Sequence, residues 1–300
     1  MSPTVNPDTL SAPASSIPRP PAVALVTGAS SGIGQAAADE LLLRGVTVYA
    51  AARRVDRMAG LKDLGARILE LDVTDDASLI AAVDTIIEQT GRIDILVNNA
   101  GYGSYGTVED VPLAEARRQM EVNLFGAARL IQLVLPQMRA QGSGRIVNVT
   151  SMGGRFAMTP GGWYHATKFA LEALSDAVRQ EVAQFGIDVV VVEPGMVRTE
   201  WPGIAAEHLR ATSGAGPYAK LADRFASGLE MVAAYEQAGS DPVVIGRAIA
   251  RAATTPHPRP RYAVGLGAKP GLYFLRLLPT QALDGIVRLA LRLPGRPEAG

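Results

Sequence analysis

The 300-residue chain has no cysteine. Disulfides, thiolate nucleophiles and cysteine-ligated zinc or iron–sulfur centres are therefore excluded, and a reducing compartment, the cytoplasm, is expected. Histidine is scarce. His165, His208 and His257 stand too far apart in sequence to form a metal-ligand spacing, so no metal is expected. Net charge is also lacking, because 29 Lys+Arg balance 29 Asp+Glu. A neutral chain exerts no global pull on nucleic acid or on an anionic membrane, and any charge recognition must be local. Long apolar runs are absent as well. The longest uncharged stretch, Pro20 to Ala38, is broken by Thr27, three glycines and two serines. A membrane-spanning helix needs about 20 mostly apolar residues, so no span is expected there. The N-terminus shows no basic patch followed by an apolar stretch, as a secretory signal would.

What is present suits a packed globular domain, with 48% hydrophobic and 19% charged residues. Residues 1–20, rich in Ser, Pro and Thr, read as a disordered tail. From residue 21, short β-branched runs alternate with helix-length segments. Ala22–Thr27, Val46–Ala51, Arg67–Leu71, Ile93–Asn98, Arg145–Thr150 and Ile187–Glu193 read as buried strands. Gly34–Leu43, Asp76–Thr90, Leu113–Arg139 and Trp163–Phe185 read as helices. This alternation predicts an α/β fold, a Rossmann-like doubly wound parallel sheet of about seven strands with helices on both faces. A single catalytic domain is expected over 21–265. Within it, residues 196–240 interrupt the alternation and are expected to form a lid at the carboxyl edge of the sheet. Residues 266–300 alternate Leu, Ile and Val with Arg at near-helical spacing. They read as helices packing on the domain or on a second subunit, with membrane-surface contact as the alternative.

After the first strand comes Thr27-Gly28-Ala29-Ser30-Ser31-Gly32-Ile33-Gly34. Glycines here let backbone N–H groups approach a pyrophosphate, and the following helix aims its N-terminal dipole at the same charge. The spacing G-x-x-x-G-x-G differs from the general dinucleotide fingerprint. It is also no P-loop, since no Lys-Ser/Thr follows the last glycine. The second strand ends Ala51-Ala52-Arg53-Arg54, without the acid that would accept ribose hydroxyls and repel a 2′-phosphate. Two arginines can fork onto a phosphate, which favours NADP(H) over NAD(H). They can equally open a solvated helix. Asp72, beyond the third strand, can accept from an adenine amino group or cap the helix that starts near Asp76.

Tyr164 and Lys168 open a long helix at i and i+4, so phenol and ammonium share a face. A phenol's ordinary pKa is about 10, and a nearby cation favours the phenolate. Ser151 stands just past the fifth strand, on the same sheet edge as the glycine turn, where its hydroxyl can hold a substrate oxygen. Asn98-Asn99-Ala100-Gly101 ends the fourth strand. Asn123 lies inside a helical stretch, where Asn often distorts the backbone.

Taken together, TGASSGIG (27–34), LDVTD (71–75), NNAG (98–101), VNLFG (122–126), IVNVTS (146–151), YHATK (164–168) and PGMVRT (194–199) resemble, in order, the single-domain short-chain dehydrogenases/reductases. The likeness to steroid, retinol and carbonyl reductase-like members is greatest in the long, Arg-rich C-terminal extension. The resemblance implies a catalytic set of Asn123, Ser151, Tyr164 and Lys168. Tyr164 would exchange a proton with a carbonyl or alcohol oxygen that Ser151 also holds. Lys168 would grip the nicotinamide ribose and lower the Tyr164 pKa, and Asn123 would use its backbone carbonyl to hold a water linking Lys168 to solvent. The cofactor, NADPH/NADP+ in preference to NADH/NAD+, would carry the hydride. Its expected contacts are Gly28, Ser30, Ser31, Gly32, Ile33, Gly34, Arg53, Arg54, Asp72, Val73, Asn99, Ala100, Gly101, Tyr164, Lys168, Pro194, Gly195, Val197 and Thr199. Gly195 would let the backbone approach the nicotinamide.

For the substrate, Ser151, Gly153, Phe156, Trp163, Tyr164, Met196 and Trp201 are the expected contacts, with Gly154, Met158 and Met231 as further apolar candidates. Such walls suit a lipophilic ketone, aldehyde or alcohol. Arg155 is the nearest cation for an acidic substrate, and His208, Arg210 and Lys220 read as solvated lid residues. The expected activity is thus NADP(H)-dependent interconversion of carbonyl and alcohol. The alternatives are an NAD-dependent alcohol dehydrogenase and a nucleotide-sensing binding protein without turnover. The resemblance also implies a homodimer or homotetramer paired through the helices at Leu113–Arg139 and Trp163–Phe185.

Overall fold

In the computed structural model, which describes residues 21–235 and 238–291, the first strand shows how the sheet is sandwiched. All five residues of β1 (Val23–Thr27) are buried. Ala24 and Val26 enter one apolar cluster, while Val23 and Leu25 enter another on the opposite face. A strand buried on both faces reads as a continuous apolar run rather than an alternating one.

The chain continues through α1 (Gly32–Leu42), β2 (Thr47–Ala52), α2 (Ala59–Asp63), β3 (Arg67–Glu70), α3 (Asp76–Thr90), β4 (Ile95–Asn98), α4 (Leu113–Met120) and α5 (Gly126–Gln141). It then forms β5 (Gly144–Val149), α6 (Gly162–Val182), β6 (Ile187–Pro194), α7 (Trp201–Ser213), α8 (Ala219–Ala234), α9 (Pro242–Thr254), β7 (Arg261–Val264), α10 (Ala268–Leu277) and α11 (Thr280–Ala290). The seven strands pair in the order β3-β2-β1-β4-β5-β6-β7, every pair parallel. The order reverses between β1 and β4, and such a switch point opens a crevice at the carboxyl ends of the strands. The expected doubly wound, single-domain fold is what the chain forms.

On one face Ala37, Ala38 and Leu41 of α1 and Ile245 and Ile249 of α9 pack on the sheet. On the other, Leu79, Val83 and Ile86 of α3, Leu130 and Val134 of α5, and Val178 of α6 do so. Each fully buried Val or Leu contributes about 2 kcal/mol, and these two layers hold the scaffold rigid. α1 and α9 cross so closely that a Cβ on Gly246 would lie 2.6 Å from the Ala36 backbone. A buried polar ladder joins strands to helix. Asn98 Nδ2 donates to Asn148 Oδ1 at 2.9 Å, and Asn148 Nδ2 donates to Ser175 Oγ at 2.8 Å.

The six strands named from sequence form, with ends shifted by one or two residues, and Asp76–Thr90 is a helix over those same residues. The segment read as one helix over Leu113–Arg139 is instead α4 and α5 joined by a π-turn at Glu121–Phe125, which contains Asn123. The seventh strand is Arg261–Val264. Helix α9 was not foreseen. The expected tail at 1–20 and the last nine residues of the C-terminal extension lie outside the described residues.

Candidate active site

One cleft of about 770 Å³ runs along the carboxyl edge of the sheet, from the glycine turn to α7 and α8. Its floor at the first switch point is the β1–α1 turn. Gly28 and Gly32 sit there at φ +66° and +57°, a left-handed conformation that L side chains rarely adopt. Ser31 is the N-cap of α1 and makes no side-chain capping bond. The first-turn N–H groups of α1 are thus available to an anion. Gly34 does not line the cleft. A Cβ there would lie 2.2 Å from the Gly28 carbonyl oxygen, so this glycine seats α1 under the turn rather than touching a ligand.

Asn99 ties the end of β4 to the same turn. Its side-chain Nδ2 donates to the Thr27 carbonyl at 3.0 Å and to the Gly28 carbonyl at 3.3 Å. Thr27 Oγ1 accepts from the backbone N–H groups of Asn99 and Ala100, both at 3.0 Å. Ser30, Ile33, Ala100, Gly101 and Val73 also line the cleft, as do Arg53 and Arg54 at its outer end. Asp72 lines it too and does not cap the helix. Asp75 caps α3 by accepting from Ala77 N at 3.0 Å, while Asp72 Oδ1 accepts from the Thr74 N–H and hydroxyl. Burial opposes ionisation of Asp72, but the Thr74 bonds and the Arg53 and Arg118 charges win and hold its carboxyl below the usual range.

At the centre, Tyr164 and Lys168 project from the first turns of α6 and are both buried. Lys168 Nζ lies 6.0 Å from the Tyr164 ring centroid and donates to the Val149 carbonyl at 3.1 Å. Burial pulls its pKa down to about 8, against the opposing charge of Glu172. Burial pushes the Tyr164 phenol up, and a hydrogen bond from Ser151 opposes this. The depression of the phenol expected from Lys168 is therefore not the dominant effect in the protein alone. Ser151 Oγ accepts from the Gly153 N–H at 3.0 Å, which leaves its own proton free to donate. His165 Nδ1 donates to the Gly153 carbonyl at 2.8 Å and so fixes the turn after Ser151 against α6.

Asn123 does not line the cleft. Its Oδ1 accepts from Tyr102 N at 2.9 Å, and its Nδ2 donates to Tyr102 O at 2.8 Å and Thr167 Oγ1 at 3.1 Å. Thr167 Oγ1 in turn donates to the Tyr164 carbonyl at 2.8 Å. Asn123 thus joins the segment after β4 to the helix that carries Tyr164.

The far half of the cleft is apolar. Gly153, Phe156, Met158, Met196 and Trp201 line it. A third cluster closes it, in which Tyr105, Tyr164 and Trp201 meet in tilted and edge-on contacts with ring centroids 5.4 to 5.6 Å apart. Trp163 corrects the expectation. It points to a separate hollow of about 220 Å³ with Leu113, Ala116 and Phe125. Neighbours on a helix face directions about 100° apart, so adjacency to Tyr164 carries it off the cleft. Gly154 and Met231 do not line the cleft either. Gly195 lines it, but its tight contact is with protein, since a Cβ there would lie 2.2 Å from the Leu266 carbonyl oxygen. Pro194, Val197 and Thr199 are at the same wall, and a Cβ on Gly32 would lie 3.0 Å from Thr199 Cγ2.

Arg155 is not aimed at the cleft; it pairs with Glu193 at 3.3 Å and Glu172 at 3.9 Å. His208, read as solvated, lines the cleft with Nδ1 3.3 Å from Ser104 Oγ. Arg210 is an exposed partner of Glu230 and Asp223. Sequence reasoning also missed Tyr105, Phe225 and Leu229 of the apolar half and Arg118 at the outer end. Arg118 stands one turn before Val122 of the VNLFG run, which was the available signal.

The donor set fits a dinucleotide: bare N–H groups at a helix start, Asp72 and two arginines at one end, Ser151, Tyr164 and Lys168 at the other. Residues 22–208 match the family described as short chain dehydrogenase. The chain is 36% identical over 245 residues to a 3-ketodihydrosphingosine reductase of Bacteroides thetaiotaomicron, covering 82% of this chain and 88% of that one. It is 32% identical over 277 residues to an NADPH-dependent 3-dehydrocapnine reductase of Ornithobacterium rhinotracheale, covering 88% and 95%. The crystal structure of a short-chain dehydrogenase from Streptomyces avermitilis superposes with a TM-score of 0.72 at 34% identity, over 91% of this chain and 95% of that one.

Proposed function

The chain belongs to the short-chain dehydrogenase family and is an oxidoreductase, and on that premise we propose that it reduces a lipophilic ketone or aldehyde, or oxidises the matching alcohol, with NADP(H). The observation that carries this reading is the continuity of one cleft. It joins an anion-receptive glycine turn and Arg53 and Arg54 to Ser151, Tyr164 and Lys168, and ends in an aromatic and aliphatic chamber. The NADPH named for the 3-dehydrocapnine reductase and the keto substrate named for the 3-ketodihydrosphingosine reductase support the cofactor and the carbonyl chemistry.

The nicotinamide, when bound, supplies or accepts the hydride. The remaining work falls to side chains of this chain. Ser151, whose Oγ accepts from Gly153 N, turns its hydroxyl proton from the Tyr164 phenol to the substrate oxygen. Tyr164 gives its phenolic proton to that oxygen in reduction and takes one back in oxidation. Burial raises the phenol when the cleft is empty, which keeps the proton on Tyr164 until a carbonyl oxygen is hydrogen-bonded to it. Lys168 would hold the ribose hydroxyls of a bound nucleotide and would supply positive charge when Tyr164 becomes phenolate. Asn123 would act through the π-turn, where the helical hydrogen-bond register changes, by offering its backbone carbonyl to a water linking Lys168 to solvent. α7 and α8, over 196–240, form the lid of the apolar chamber. Leu113, Phe125 and Phe169, all exposed on α4–α6, support pairing of this face in a homodimer or homotetramer. The absence of cysteine supports a cytoplasmic setting.

The test is a titration of NADPH against NADH on the wild type and on Arg53→Ala/Arg54→Ala, followed by a screen of lipophilic ketones. NADPH binding at least about tenfold tighter, with the preference lost in the variant, supports the reading. Equal or tighter binding of NADH makes the two arginines surface residues and shifts the assignment to NAD-dependent alcohol oxidation.

A further inference from the structure

Two helices follow β7, and they do not bury what they carry. In α10, Tyr273, Phe274 and Leu277 are 74%, 58% and 68% exposed. Residues 273 and 277 stand one turn apart, with 274 beside them, so the three make one patch. Lys269 is exposed one turn before Tyr273. In α11, Leu283 and Val287 are half-buried, whereas Ile286 and Leu289 face solvent.

This apolar surface adjoins the mouth of the cleft. Leu266 and Met196, bridged to each other and both close to half exposed, lie at the start of α10, and Met196 lines the cleft. A Cβ on Gly271 of α10 would lie 3.1 Å from Cε of Met152, another lining residue. At the other end, Arg224 of α8 donates to the Leu291 carbonyl at 3.2 Å, just past α11. The two helices therefore span the substrate end of the cleft, from Met152 to the helix that supplies Phe225 and Leu229.

The charge of this segment departs from that of the chain. Residues 266–300 carry Lys269, Arg276, Arg288, Arg292 and Arg296 against Asp284 and Glu298, while the whole chain is neutral. Among the described residues no helix is long and apolar enough to cross a membrane. An exposed aromatic and aliphatic patch with basic neighbours, too short to span, matches the chemistry of a segment lying in the headgroup layer of an anionic bilayer.

We propose that α10 and α11 dock the protein on an anionic lipid surface, with Tyr273, Phe274 and Leu277 as the inserted side chains. Lys269 extends its ammonium to the headgroups while its stem lies on the apolar layer. Docked in this way, the molecule presents the Met196 and Leu266 rim to the acyl layer, and a lipophilic substrate enters without crossing water. That last consequence rests on the reductase reading; docking does not.

The test is co-sedimentation of the full chain with phosphatidylcholine vesicles, with and without a minority of phosphatidylglycerol. The wild type is expected to pellet with the mixed vesicles and to be released by high salt. Tyr273→Ser/Phe274→Ser/Leu277→Ser is expected to lose at least about tenfold in partitioning, with its melting curve and NADPH binding unchanged. Lys269→Glu, at an exposed site, is expected to weaken binding to the anionic vesicles only. The proposal is overturned if the wild type stays in the supernatant, or if the triple variant pellets equally. It is equally overturned if the patch instead holds a larger oligomer that the triple variant dissolves. All of these readouts are independent of turnover, so a failure of the redox assignment would leave them intact.

Discussion

Lys168 and Glu172 stand one turn apart on α6, yet their charged ends serve different neighbours. The ammonium is held at 3.1 Å by the Val149 carbonyl, while Glu172 Oε1 accepts from Thr150 Oγ1 at 2.6 Å and Oε2 from Arg261 at 3.1 Å. The proposed catalytic amine is thus buried with a hydrogen bond but no direct ion pair to Glu172.

Stability should therefore rise with pH at the alkaline end. A folded pKa of about 8 against an unfolded 10.5 means that the unfolded chain binds the proton more tightly between those values. The contribution of Lys168 is full above 10.5, falls as pH drops toward about 8 and is flat below. Lys168→Met should stabilise the fold near neutrality by up to about 3 kcal/mol and abolish turnover. Its advantage should vanish by the top of that window. Thermal melts of both proteins across the window check this, and a variant advantage that grows with pH would refute it.

Glu172→Gln keeps a side chain beside Thr150 and removes the charge that supports the Lys168 ammonium. The alkaline limb of the kcat/KM profile should move to lower pH. Glu172→Ala, which strips a partner from Arg155 and Arg261 inside the protein, should cost about 3 kcal/mol in denaturant melts.

The acid side has its own signature. Burial lowers the pKa of His165, with the Gly153 carbonyl as the opposing influence. Its contribution is full above the unfolded value of 6.5 and is lost as pH falls through the lower folded value. Melting temperature should decline below that pH, and less so in His165→Gln, whose side-chain amide can still donate to Gly153. Equal declines would argue against His165.

Asn123→Ala removes three hydrogen bonds that join Tyr102 to Thr167. A loss of about 2 to 4 kcal/mol is expected, with kcat falling more than cofactor affinity, since the helix carrying Tyr164 loses its brace. Asn123→Asp, which keeps an acceptor for Tyr102 N, should recover part of the stability.

Gly195→Ala would drive a methyl into the Leu266 carbonyl at 2.2 Å. The wall opposite the glycine turn must then shift. NADPH affinity should fall at least about tenfold in fluorescence titration, whereas Gly203→Ala, in open space on α7, should leave it unchanged.

The sheet was legible in the sequence because its strands are short β-branched runs ending at glycines and polar residues. Helix α3 was readable to the residue: Asp75 caps one end and Gly91, at φ 70°, closes the other. The break between α4 and α5 was not, since a π-turn needs no proline or glycine, and only Asn123 hinted at it. Candidate cofactor residues follow the carboxyl ends of strands, which local pattern identifies. The apolar chamber draws instead on Tyr105, His208, Phe225 and Leu229, brought together only by tertiary packing. Trp163 and Arg155 were assigned by nearness in sequence to Tyr164 and Ser151. Helical rotation sends the first elsewhere, and the buried carboxylates Glu193 and Glu172 claim the second.

The close crossing of α1 and α9 carries a consequence for how this protein can change. Gly246 against Ala36 clamps the helix under the glycine turn to the sheet, so the nucleotide end tolerates almost no drift. Helices α7 and α8 pack chiefly on each other and on a small aromatic cluster that they share with Tyr105 and Tyr164, apart from both faces of the sheet. Side chains there that do not touch Tyr164 can be exchanged without disturbing the clamped half. Selection, or an engineer, can thus retune which molecules are accepted while the machinery that handles reducing equivalents stays untouched.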